Sequence, residues 1–361
     1  MFRTGYILNG RADLVWFLGL PFIAIAIALG CYHWLPVVAW ASIGLWVTIP
    51  HHFATWLRTY GLPEDWQRWK GRLIGGPLVI GAMTLLGLRF APGTALIVVT
   101  LWDHQHSIMQ QHGLARIYDF KARTGARSTG RFDLLLNWFL FVNMLLTAPL
   151  FAELWIRELY AWNLPISAEG LRLFQQLCWG ATAAFVCVYV MHVIWSVRAG
   201  HALNPIKFVF IAASYFMWYF TAWQTDSFLL FGISHRIMHG VQYIVIVHAF
   251  LRRKTIASDR APQTLAKLMT GPFIPVFLLA CAAYALLYQF VVMRPLEEFG
   301  FGVTSFMSVY KAIPELGLSA ISQNQGYDLF AAMVVQAAPL THYYFDSFIW
   351  KVSDSKVQQG L

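Results

Sequence analysis

Nine of the twelve histidines fall in four apolar stretches, and each stretch carries further polar groups close by. "IPHHF" sets His51 beside His52, and "WDHQHSIMQQH" holds Asp103, His104, His106 and His112 with three glutamines. "SHRIMH" carries His235, Arg236 and His239, and "THYYFD" places His342 four residues before Asp346. Imidazoles with a carboxylate suit iron, zinc, copper or nickel, and the near absence of thiolate argues against a soft-metal site. Residues four apart share a helix face, so His235 with His239, and His342 with Asp346, can reach one ion. Adjacent His51 and His52 diverge by about 100° on a helix. They serve two ions, or one is a ligand and the other supports it. His104 shares a face with Gln111, while Asp103, His106 and Gln110 share another.

These residues need elements to position them, and composition says which. The chain has 361 residues, 58% of them hydrophobic and 12% charged, where a soluble domain carries about a quarter charged. Its mean hydropathy is +0.55. Apolar runs of roughly 18–25 residues recur throughout, the pattern of a polytopic helical membrane protein. The expected fold is all-α, a single transmembrane domain over 1–361 with about ten helices. They are expected at 12–34, 36–57, 73–91, 93–116, 132–151, 171–197, 204–224, 228–251, 271–293 and 327–350. Segment 294–326 is amphipathic enough to lie on the membrane surface. The N-terminal sequence lacks the features of a signal peptide, so the first helix is expected to stay. The four cysteines sit in apolar runs without a CxxC pair and are expected to pack, not to bridge.

Orientation follows from the cations. With the N-terminus inside, twenty of the 26 lysines and arginines fall on the inner side, five on the outer, and Arg236 stays within a span. Both termini are therefore expected in the cytoplasm, with the chain a multi-pass protein of the cell inner membrane. The net charge of +9 then faces anionic headgroups, with no nucleic acid as partner.

Depth sharpens the pattern. Counted from the cytoplasmic helix ends at about 1.5 Å per residue, Asp346, His51, His52, His342, His106, His104 and His239 lie roughly 8–20 Å deep. His112 is shallower, at about 6 Å, and His235 deeper, at about 25 Å. Any one ring can be satisfied by a backbone carbonyl. Nine on four helices are harder to desolvate without a cation to bind. Asp103 and Arg236 lie at similar depth, and a charge at mid-span costs about 2.5–3.5 kcal/mol. They are expected to pair and to orient His104 and His235.

"HRIMH" resembles the HxxxH element of membrane fatty-acid desaturases, fatty-acid hydroxylases and alkane hydroxylases, although the HxxHH boxes of those families are absent. In layout, "IPHHF", "SHRIMH" and "THYYFD" resemble the ordered motifs of bacterial membrane β-carotene dioxygenases, with different spacing inside each motif. "WDHQH" has no counterpart there. The resemblance spans short motifs only. It implies iron ligands at His51, His235, His239 and His342, and an O2-using oxygenase; the substrate does not carry over.

The expectation is a membrane oxygenase with two non-haem irons and a lipophilic substrate, a lipid or an isoprenoid. Membrane lipids and an electron-donor protein are its expected partners. One ion would draw on His235, His239, His342 and Asp346, the other on His51 or His52 with His104, His106 or His112. The alternatives are a b-haem or quinone-linked electron carrier and a proton-coupled transporter.

Overall fold

The computed structural model describes residues 2–256, 265, 268–269, 274–292 and 326–361. Among them the chain is helical throughout, without a strand beyond a single bridge between Phe2 and Leu203. The long helices are α1 (Gly10–Trp34), α2 (Val37–Tyr60), α3 (Pro63–Phe90), α4 (Pro92–Ala122), α5 (Thr129–Thr147) and α6 (Pro149–Ala161). They continue with α7 (Ala168–Arg198), α8 (Pro205–Gln224), α9 (Phe228–Ile256), α10 (Ile274–Val292) and α11 (Gly326–Ile349), followed by the short α12 (Ser355–Gln358). Nine of the ten expected segments fall on one helix each, although α3 begins ten residues before its expected segment and α4 ends six after, and the segment 132–151 falls on two. The expected surface segment 294–326 lies almost wholly outside the described residues.

Among the described residues five helices, α1, α3, α7, α8 and α9, are long and apolar enough to cross a membrane. The pair α5–α6 makes a sixth if it is taken as one bent span. Helices α4 and α11 have the length of a span but interrupt it with the polar residues of "WDHQHSIMQQH" and "THYYFD". The expected span 132–151 is broken by a 64° bend between α5 and α6. Pro149 explains the bend: it has no N–H to continue the ladder, and it holds Ala148 extended, with ψ at 135°.

The helices group into two compact units. The first comprises residues 1–34 and 108–238, hence α1, the end of α4, α5 to α8 and the start of α9. Its hydrophobic core includes Trp218, Phe210, Met217 and Tyr118. Asn204 caps α8 just ahead of Pro205 by accepting from the Ile206 amide, while its own amide donates to the carbonyls of Gly5 and Tyr118. Four ionic groups are held together under the turn after α4. Lys207 Nζ donates to Asp119 Oδ2 at 3.0 Å and to Asp133 Oδ2 at 3.1 Å. Arg116 reaches Asp119 at 2.6 Å and Asp133 at 3.4 Å, and the Tyr189 hydroxyl donates to Asp133 at 2.7 Å. Lys207 is 1% exposed. Two carboxylates supply the partners that make this burial tolerable.

The second unit comprises residues 35–107 and 239–361, hence α2, α3, the first half of α4, the rest of α9, and α10 to α12. Helix α11 lies along α3, with Leu73, Phe345, Phe348 and Ile349 buried between Trp56, Trp66 and Trp69. Arg58, 2% exposed, bonds the Asp65 carboxylate and the Ile349 carbonyl and lies 4.1 Å over the Phe250 ring. Lys254 bonds Glu64 at 2.8 Å, tying the end of α9 to the start of α3. Arg68 bonds Asp354 and holds that carboxyl below the usual range.

Asp133→Asn keeps the shape of its side chain and removes one of the two charges facing Lys207. Breaking such a buried pair should lower stability by about 3–5 kcal/mol. Lys207→Met in the same chain should recover part of the loss. Unfolding in detergent measures both, and a single variant as stable as the wild type would show that the cluster carries no stability.

Candidate metal centre

Within the second unit four helices bring imidazoles to one place. Helix α2 supplies His51 and His52, α4 supplies His106, α9 supplies His239, and α11 supplies His342 with Asp346. All five rings are buried, His342 completely. Ring centroids stand 4.5 Å apart for His51 and His342, 4.6 Å for His106 and His342, 5.2 Å for His51 and His239, and 5.0 Å for His106 and His239.

The local sequence explains how these helices come so close. Gly240 packs against α2, where an added Cβ would stand 2.7 Å from Val47 Cγ1 and 3.8 Å from His51 Cβ. A larger residue there would push His239 and His51 apart. Pro50 precedes His51, and Pro339 lies three residues before His342, both inside helices. Each removes one helical N–H and gives the backbone beside a ring freedom to bend.

Two groups of donors lie close enough to share an ion. His51, His239 and His342 form one and His106, His342 and Asp346 the other, with the donor atoms of each group within 4.8 Å of one another. His51 Nε2 is 2.9 Å from His342 Nε2. Two nitrogens bound at about 2.05 Å and at right angles on one ion stand about 2.9 Å apart. The donor set fits a metal of borderline hardness, with several neutral imidazoles, one nearby carboxylate and no thiol. His106 Nε2 stands 3.9 Å from Asp346 Oδ2, beyond a hydrogen bond.

Around the rings lies a layer of hydroxyls. Thr55 Oγ1 is 2.6 Å from His342 Nδ1 and donates to Tyr243 Oη at 2.8 Å. Tyr243 donates to Asp346 Oδ1 at 2.7 Å and accepts from Trp350 Nε1 at 3.3 Å. Tyr343 stacks on His106, centroids 4.3 Å apart, and donates to Asp103 Oδ1 at 2.6 Å. None of Thr55, Tyr243, Tyr343 and Trp350 stood out in the sequence, although a signal was there. Thr55 follows His51 by four residues, Tyr243 follows His239 by four, and Asp346 follows His342 by four. On each of the three helices, the residue one turn on from the imidazole supplies the supporting layer.

The remaining expected residues lie elsewhere or point elsewhere. His104 Nδ1 is 2.6 Å from the Thr100 carbonyl of its own helix. His112, His235 and Arg236 belong to the first unit. There Trp218 Nε1 donates to His235 Nδ1 at 2.9 Å, and Ser214 donates to Gln111 at 3.0 Å. Asp103 accepts from Tyr343. Comparison with family models, with curated proteins and with solved structures gives no match.

The geometry separates histidines of similar sequence context. Alanine at His51, His239 or His342 should abolish binding of a divalent transition metal, measured by elemental analysis after purification. Alanine at His104 should leave metal content at the wild-type level. Loss of metal in the His104 variant with retention in the His342 variant would show that the cluster is not the binding site.

Proposed function

We propose that this chain is an integral-membrane oxygenase with non-haem iron as its resident metal, acting on a lipophilic substrate. The observation that supports it most directly is the cluster of five buried imidazoles beside Asp346. So many desolvated bases from four helices suit a cation better than they suit one another. His51, His239 and His342 would hold the iron, with His52, His106 and Asp346 around them. When bound, iron with open positions supplies activation of dioxygen, the oxidant that an unactivated hydrocarbon requires.

An apolar groove of about 560 Å³ in the same unit supports the substrate class. Its walls include Trp56 and Tyr60 on α2, Leu78 and Leu85 on α3, and Met333 and Val334 on α11. Trp56 adjoins Thr55 in the chain, and Thr341, also in the wall, adjoins His342. A hydrocarbon chain in this groove would thus lie close to the imidazoles. A haem is a poorer fit. Two axial imidazoles bracket the iron with nitrogens about 4 Å apart and a macrocycle between them, whereas His51 and His342 meet at 2.9 Å. In this reading the chain crosses the inner membrane ten times with both termini in the cytoplasm, where a donor protein supplies electrons.

Protein made in iron-replete cells should purify with iron as its main transition metal and without a Soret band. Its oxygen uptake should rise when an extract of membrane lipids and isoprenoids is added with a reductant. Less than about half an equivalent of any transition metal in fully folded protein would sink the proposal. Orientation has its own test. Arg127 is exposed in the turn after α4, and Ser355 is exposed after α11. Arg127→Cys and Ser355→Cys should react with an impermeant maleimide only after cells are opened. Ready labelling of sealed cells would reverse the topology.

A further inference from the structure

We infer that a hydrogen-bonded chain from His342 through Thr55 and Tyr243 to Asp346 fixes the His342 tautomer, so that Nε2 is the metal ligand and the unit holds one ion, not two. The inference rests on the metal-site reading above and names how that site is set.

The direction of each bond follows from what each group can offer. The Trp350 indole can only donate, and it reaches Tyr243 Oη at 3.3 Å. Thr55 donates to the same oxygen at 2.8 Å. With both lone pairs engaged, Tyr243 places its one proton on Asp346 Oδ1 at 2.7 Å, where a carboxylate accepts. Thr55 has then spent its only proton. Its oxygen can meet His342 Nδ1, 2.6 Å away, only by accepting an N–H. A neutral imidazole carries one N–H, so His342 Nε2 is left with its lone pair. That nitrogen faces His51 Nε2 at 2.9 Å, inside the group completed by His239.

The same chain argues against a second ion. The other donor group needs His342 and Asp346 together, and the closest approach between them is Nδ1 to Oδ1 at 3.8 Å. Thr55 occupies that Nδ1, and Tyr243 occupies that Oδ1. Asp346 thus ends the chain through Oδ1. With His342 Nδ1 engaged, Asp346 Oδ2 and His106 Nε2, 3.9 Å apart, leave the second group one nitrogen short of the three protein donors that typically hold an ion. Thr55 and Tyr243 are positioning residues. Orientation of a metal-bound imidazole by a partner on its other nitrogen typically changes affinity about 10–100-fold.

The test uses the full-length protein in detergent, stripped of metal and titrated anaerobically with Co(II) against a chelator of known affinity. Wild type should take up one Co(II) per chain. Thr55→Val removes the hydroxyl at nearly constant volume and should weaken binding about 10–100-fold. Thr55→Ser should restore it. Tyr243→Phe, which removes the acceptor of the Thr55 proton, should weaken binding in the same direction, and it carries the test if Thr55→Val does not fold. Asp346→Asn still offers an oxygen to Tyr243 and should retain one ion with the wild-type visible spectrum. Wild-type affinity in the folded Thr55→Val or Tyr243→Phe protein would overturn the inference. So would two ions in the wild type, one of them lost in Asp346→Asn. A wild type that binds no Co(II) would instead overturn the metal-site reading itself.

Discussion

A buried imidazole has one proton to give and one lone pair to fill, and burial restricts where it can do either. That constraint governs the second unit. Where His51 and His342 face each other through Nε2 at 2.9 Å, at most one proton can lie between them. A third ring, His239, closes on the same point, with the three donor atoms within 4.8 Å of one another. The surroundings answer the other nitrogen of His342 with a hydroxyl chain that ends at a carboxylate. What converges beside that chain is a group of bases, the arrangement that the proposed cation would complete.

Holding such bases together requires helices to approach more closely than ordinary side chains permit. Gly240 provides the approach of α9 to α2 at the height of His51 and His239. Pro50 and Pro339 relax the backbone next to two of the rings. The aromatic packing of α11 on α3 then fixes the face that His342 presents, because Phe345, Phe348 and Ile349 belong to the buried cluster with Leu73. The one-turn spacing from each histidine to Thr55, Tyr243 and Asp346 gives the centre and its support a common register. A shift of any of these helices by one residue would separate both layers at once.

Much of this was legible in one dimension. Runs of apolar residues located the helices, because a membrane-like composition leaves few other ways to satisfy the backbone. Counting depth along each helix drew His51, His52, His106, His239, His342 and Asp346 to a common level. Depth has no angular information, however. It could not tell that His104 turns to its own helix at Thr100, or that Trp218 engages His235. Nor could it show that Tyr343, which carries no charge, donates to Asp103. Counting cations by position is likewise silent on the burial of Lys207. A lysine next to a helix N-terminus looks exposed until the two aspartates that bury it are brought in from α4 and α5. The break at Pro149 was visible in the sequence, but an apolar run continuous through it concealed the bend.

The two units satisfy their buried polar groups in opposite ways, and the contrast bears on function. In the first unit Lys207 and Arg116 meet Asp119 and Asp133, two positive charges against two negative, with Tyr189 adding a further bond. Such a cluster is complete in itself, and losing one member leaves a charge stranded. At the centre of the second unit the bases outnumber the acids. Five imidazoles surround one carboxylate, and Tyr243 already bonds an oxygen of that carboxylate. Protonating the rings would place several like charges within about 5 Å of each other in a poorly polarisable interior, at a cost that rises steeply as the dielectric constant falls. Neutral, each ring keeps one donor and one acceptor nitrogen. A divalent ion of the kind proposed would take lone pairs without adding protons. The imbalance of base over acid is thus what the proposed metal reading rests on, and what sets this cluster apart from the closed salt-bridge network of the first unit.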